Sequence, residues 1–246
     1  MFFDFSVTQI FLTGLLFLWA GFVRSGLGFG GAALGLPLML FIVDQPVYWL
    51  PIIGFHLLFF SAITLRTRLN DVDWAYLQRA VLFIIPPALI GVFGLLSLPN
   101  QWLLVFIYTI TLLYALMWLL DKAINSENDW LDRTLLVLGG YVAGTSLTGA
   151  PLMVAVFTRH VSAEQLRNTL FVLWFVLVSI KMTTFAALGV ELNALTALVL
   201  LPVAAIGHVI GLKTHHAIVR NATLFKRVVG GVLIVICLSG LYHSLQ

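Results

Sequence analysis

Two short stretches of this chain place anion-binding residue types inside an otherwise apolar sequence. The first, GFVRSGLGFGGAALGLP (21–37), carries Arg24 and Ser25, then Gly28, Phe29, Gly30 and Gly31. The second, GYVAGTSLTGAP (140–151), carries Thr145, Ser146, Thr148, Gly149 and Ala150, with Pro151 directly after. Glycine admits positive φ and lets a ligand approach the main chain closely. A helix that begins after such a break aims free N–H groups into it, and its dipole adds roughly half a positive charge there. Together these hold an anion without any side chain. Helix starts are expected at Phe29 or Gly30 and near Pro151, a position where a missing N–H is tolerated. Thr145, Ser146 and Thr148 add hydroxyl donors to the second break. Arg24 reads in two ways: a buried cation at the site, or a side chain reaching the membrane interface to set orientation. Gly21 and Gly26 either belong to the break or let two helices pack closely. The expected ligand is a small oxyanion or organic acid, met by two breaks that face each other near the membrane midplane.

Further polar residues lie within apolar runs and are secondary candidates for ligand contact or ion coupling. Lys181 sits in FVLVSIKMTTF, either functional or snorkelling. His56 and His208 are each read as a buried neutral imidazole or a proton carrier. Asn168 either caps its helix or reaches the site. Glu164 is expected to support a short cytoplasmic helix, and Asp71 and Asp73 to cap the helix that follows them. A different class of function, an intramembrane hydrolase, would pair Ser146 with His208. The context GTSLTG lacks the G-x-S-x-G nucleophile pattern, and no acid is evident to orient the histidine. The chain is expected not to be an enzyme.

These residues need elements to hold them, and composition says which kind. The 246 residues are 61% hydrophobic and only 9% charged, against about 25% charged in a soluble domain. Mean hydropathy is +1.06. Such a chain must have lipid as its solvent. Apolar runs of about 20 residues recur, the length of a bilayer-crossing helix; a β-barrel would alternate instead. The net charge of +3 lies in short loops, where it sets orientation rather than binding nucleic acid. The lone Cys237 fits neither an intrachain disulfide nor a metal site. No metal or other cofactor is expected. The first residues lack a basic n-region and a cleavage site, and read as a retained helix.

Ten apolar elements fall at 5–23, 29–43, 47–65, 75–96 and 101–120, then 134–147, 149–158, 168–188, 192–212 and 226–244. The polar segment 121–133 separates the halves. GFVRSGLGFGGA aligns with GYVAGTSLTGAP at an offset of 119, and VDWAYL with VELNAL at 118. Pro86 and Gly91 align with Pro202 and Gly207 at 116. The expected architecture is all-α, one transmembrane domain of two repeats, 1–125 and 126–246. Arg66 and Arg68 follow the third element, whereas GVELN after the eighth has no base. LPNQ after the fourth has none either, whereas Lys213, Arg220, Lys226 and Arg227 follow the ninth. Corresponding loops therefore belong on opposite sides, the signature of inverted repeats in secondary transporters. Both termini are expected outside, with the central linker and the Arg159–Arg167 loop in the cytoplasm. Elements 29–43 and 149–158 are too short to span, so each is expected to pair with its predecessor as a hairpin that dips into the membrane and returns.

The duplicated glycine motif, with a proline-then-IG helix in each half and a basic loop leading into VD, resembles the TauE/SafE family of sulfite and organosulfonate exporters over nearly the whole chain. The second copy departs from the pattern, since TSLTG replaces the fuller glycine run and leaves the site richer in hydroxyls. The resemblance implies a multi-pass permease of the bacterial inner membrane that exports sulfite, sulfoacetate or related anions. An uptake permease or channel of the same architecture is the alternative, and a homo-oligomer is compatible with either.

Overall fold

The computed structural model describes residues 4–27 and 31–246, which are almost entirely helical, with no strand among the described residues. In chain order the helices are α1 (Val7–Leu27), α2 (Gly31–Met39), α3 (Pro46–Leu65), α4 (Trp74–Ser97) and α5 (Asn100–Leu119). Then come α6 (Asp129–Ser146), α7 (Ala150–His160), α8 (Ala163–Ala187), α9 (Ala194–Arg220) and α10 (Ala222–Ser244). All except α2, α6 and α7 are long and apolar enough to cross a bilayer, seven in all among the described residues. Their outward faces are apolar: Leu82, Ile90 and Phe93 on α4, and Val228, Val232 and Val235 on α10, are all exposed. The protein is a multi-pass α-helical membrane protein.

Several helices outrun their apolar stretches. Asn128 accepts a hydrogen bond from the Leu131 N–H at 2.9 Å and starts α6 five residues before the apolar run at 134. Ser162 does the same for α8 through the Gln165 N–H at 3.4 Å. The basic segment 213–227, expected as a loop, is helical except at Asn221, because α9 continues to Arg220 and α10 starts at Ala222. Hydropathy marks where lipid stops; capping chemistry and the absence of breakers decide where a helix stops.

Packing divides the chain into two compact units that cut across the sequence halves. One comprises Met1–Ile52, Pro99–Ala123 and Asn193–Gln246, the other Ile53–Leu98 and Ile124–Leu192.

In the first unit α1 lies along α9. A Cβ on Gly21 would fall 2.2 Å from the Ala204 carbonyl oxygen, and one on Gly207 1.9 Å from that of Leu18. Gly211 meets Phe22 in the same way, and Gly26 meets the Ile218 side chain. Contact positions rise together along both helices, so they run parallel. Gly21 and Gly26 thus serve close helix packing, one of their two expected roles. α2 folds back over α1, with Trp19 Nε1 donating to the Leu34 carbonyl at 3.2 Å. Phe5 then meets Tyr48 and Trp49 at the head of α3, so the chain leaves α2 at the end where α1 began. α5 and α10 pack antiparallel through Ala115 on Gly230 and Tyr108 on Gly240.

In the second unit α4 and α6 make the matching parallel pair: Gly140 lies on Ile84, Gly144 on Ala88 and Gly91 on Tyr141. α7 folds back on α6. At its far end Arg159 Nη1 and His160 Nε2 each reach Asp132 Oδ2 at 2.6 Å, tying the end of α7 to the start of α6. Chain entry and exit therefore lie together. Leu77, Ile84, Leu136, Phe157, Leu173 and Leu177 form a buried core joining α4, α6, α7 and α8.

Candidate functional site

The second break is described in full. α6 closes with Thr145 and Ser146, and Leu147 turns the chain in the left-handed region at φ 60°. Its N–H donates to the Ala143 carbonyl at 3.0 Å. Gly149 follows, and α7 starts at Ala150 with Pro151 in its first turn, as expected. A Cβ on Gly149 would lie 2.0 Å from the Gly139 carbonyl oxygen and 2.7 Å from the Ala143 nitrogen. Both neighbours are main chain and cannot yield, so only glycine fits.

The three hydroxyls are buried. Thr145 Oγ1 donates to the Tyr141 carbonyl at 2.9 Å and Ser146 Oγ to the Val142 carbonyl at 3.0 Å. Ser146 has one proton, so its 2.6 Å contact with Thr148 Oγ1 uses the Thr148 proton. All three hydroxyls are thus engaged within the chain. Thr145 and Ser146 complete the helix rather than lie in a loop, a correction to the expected break. In an apolar medium the main chain keeps its internal hydrogen bonds as far as sterics allow.

A basic side chain stands beside this break. Lys181 on α8 is 2% exposed, and its Nζ donates to the carbonyls of Gly144 at 2.5 Å and Thr145 at 3.2 Å. Both belong to the last turn of α6, where carbonyls lack helical partners and the dipole is negative. The Phe185 ring lies 5.7 Å from the same nitrogen. Lys181 is thus buried against α6 and does not snorkel.

At the first break Gly28, Phe29 and Gly30 lie outside the described residues. Arg24 and Ser25 are helical, in the last turn of α1, and not in a break as expected. The arginine is 8% exposed and buried in the protein. Ser25 Oγ donates to the Gly21 carbonyl at 3.1 Å and also pairs with His208 Nδ1 from α9. His215 Nδ1, also from α9, donates to the Gly26 carbonyl at 2.7 Å. Gly31 opens α2 against α1, where a Cβ would fall 2.9 Å from the Ala20 carbonyl oxygen.

Other candidates fall elsewhere. His56 is buried in α3, edge-on to Phe60 at 6.4 Å. Asn168 lies inside α8 and does not cap it, since Ser162 does. Glu164 sits in the first turn of the long α8, not in a short separate helix. Asp73 caps α4 through the Tyr76 N–H at 2.9 Å, whereas Asp71 pairs with Arg68 at 3.5 Å. His208 pairs with Ser25, and Ser146 with Val142 and Thr148, so neither is spent on the other.

Sequence reasoning missed His215, which lies in a segment expected as a loop, and the Asp132–Arg159–His160 cluster, in which 27 positions separate Asp132 from Arg159. It also missed a cavity of about 660 Å³ in the first unit, lined in part by Asp44, Asn100, Gln101, Tyr108 and His243. Asn100 and Gln101 each donate one amide proton, to the carbonyls of Asp44 and Ser244 at 2.7 and 2.9 Å. The Asp44 carboxylate on its wall disfavours an anion in this cavity.

Seven helices long and apolar enough to span, with the short α2 and α7 folded back on α1 and α6, fit a polytopic membrane transporter. The family model for the sulfite exporter TauE/SafE matches residues 13–240, and the chain belongs to that family. No curated protein and no solved structure matches it.

Proposed function

We propose that this protein is a secondary transporter that exports small sulfur-containing anions, sulfite or an organosulfonate such as sulfoacetate, across the bacterial inner membrane. The observation that carries this reading is the second break. There Ser146 and Thr148 lie buried close to Gly149 and the N-terminus of α7, with the Lys181 side chain alongside and Thr145 turned to Gly91 of α4. Donors, dipole and cation all favour negative charge. At the first break Arg24, Ser25 and the Gly28–Gly31 segment play the corresponding part. Membership of a family described as sulfite exporters supports the choice of anion.

The energetics favour outward movement. With the cytoplasm negative, each negative charge leaving gains about 2.3 kcal/mol per 100 mV, so a dianion needs no coupling ion. Two features support inverted repeats with both termini outside: basic residues follow non-corresponding elements in the two halves, and each break helix pairs with the proline-bearing helix of the other half, α1 with α9 and α6 with α4.

The test is flux of radiolabelled sulfite in proteoliposomes of fixed orientation under an imposed potential. Outward flux that accelerates with a more negative interior and is inhibited by sulfoacetate is expected. Absence of flux in both directions for sulfite, thiosulfate and sulfoacetate ends the proposal; net inward flux alone reverses its direction.

A further inference from the structure

The carbonyl oxygens of Gly144 and Thr145 converge at the open end of α6, within hydrogen-bond reach of one buried nitrogen. Unwound carbonyls at the C-terminal end of a broken helix are where cation-coupled transporters hold sodium. Here the position is filled by a side chain. Lysine delivers a compact point charge on a flexible stem, the closest a protein side chain comes to a bound monovalent ion. It arrives from α8, not from the broken helix. The stem is packed away from solvent and Phe185 flanks the charge. The aligned helix of the first half, α3, contains neither lysine nor arginine, so this cation belongs to the second break alone.

We propose that the Lys181 ammonium is the resident cation of the second break, holding the end of α6 where a coupling ion would otherwise sit, so that transport requires neither sodium nor potassium. This rests on the reading that the second break handles the anion. Lys181 is a positioning residue in this proposal: it fixes the two carbonyls, and through them the turn that presents Ser146 and Thr148.

The experiment uses the full-length protein as wild type, Lys181→Ala, Lys181→Met and Lys181→Arg. Labelled sulfite flux in proteoliposomes and thermal unfolding in detergent are both measured in choline, sodium, potassium or ethylammonium chloride. Wild type is expected to show the same flux, within about twofold, and the same Tm in every salt, because its cation is covalent. Lys181→Ala is expected to lose about tenfold or more of its flux in choline. Ethylammonium or sodium should restore it about threefold and raise its Tm by several degrees, since an ion that binds only the folded state stabilises it. Lys181→Met, which fills the space without charge, should be impaired and show no rescue, and Lys181→Arg should retain a substantial part of the flux. The proposal is overturned if wild type needs sodium or potassium, or if Lys181→Ala responds to no cation in flux or Tm. If Lys181→Ala folds in no salt, including ethylammonium during purification, it is equally overturned. A wild type that carries no sulfite defeats the transport reading, while the salt dependence of Tm in Lys181→Ala still decides the role of the lysine.

Discussion

In the first break the cation and hydroxyl belong to the broken helix itself, Arg24 and Ser25 in the last turn of α1, and two imidazoles from α9 steady that turn. In the second, α6 supplies only hydroxyls, and the cation comes from α8. Both hairpins fold back over a glycine contact and both lean on a parallel proline-bearing helix. The backbone plan is thus shared while the side chains that hold it have diverged. A broken helix end needs donors for its carbonyls, and lysine or histidine can meet that need from whichever neighbour is close enough.

The largest expected effect separates the two hairpin contacts. Gly149→Ala should cost about 3 kcal/mol or more, because the added methyl meets main chain at 2.0 Å. Gly31→Ala, at 2.9 Å from its nearest atom, should cost about 1 kcal/mol. Thermal unfolding in detergent checks both, and equal losses would mean that the two hairpins are packed alike.

Next come the two cations. Arg24→Met should lower sulfite flux about tenfold and lower Tm as well, since the substitution removes a buried charge from the groups that hold it. Lys181→Met should lower both, because two carbonyls lose their donor. If Arg24→Met transports normally, Arg24 is structural and the two breaks are functionally unlike.

A smaller effect is expected from the hydroxyls. Thr148→Val and Ser25→Ala should each raise the apparent KM for sulfite a few-fold, about 1 kcal/mol, the net worth of one hydrogen bond. A change confined to Thr148→Val would assign the anion to the second break.

The smallest concerns the base of the second hairpin. Burial works against the Asp132 charge, but the Ser126 hydroxyl, His160 and Arg159 outweigh it and hold the carboxyl below its ordinary value. Its contribution is therefore present above the ordinary carboxylate pKa and is lost as pH falls through the lowered one. Asp132→Asn should cost on the order of 1 kcal/mol at neutral pH and should flatten the acid limb of the Tm–pH curve. An unchanged acid limb would show that this end of the hairpin is held by packing alone.

The helices were legible because lipid demands long apolar runs, and the second break because Gly149 and Pro151 mark the start of a new helix. Helix ends were less so: Asn128 and Ser162 cap through local hydrogen bonds that hydropathy does not see. Arg24 and Thr145 looked like loop residues because they neighbour glycines, yet those glycines face a partner helix. Lys181 was visible as an odd residue in an apolar run, but its partners lie 36 and 37 positions away, and no spacing rule reaches that far.

The interleaving of the two units fixes an order of assembly. Every piece of the unit containing α4, α6, α7 and α8 has been synthesised once Leu192 is made. The other unit must wait: α1 is inserted early, yet its glycine face has no counterpart until α9 follows. During synthesis α1 is thus a helix with an open seam, and a nascent chain halted after α8 should be the species most exposed to membrane quality-control proteases.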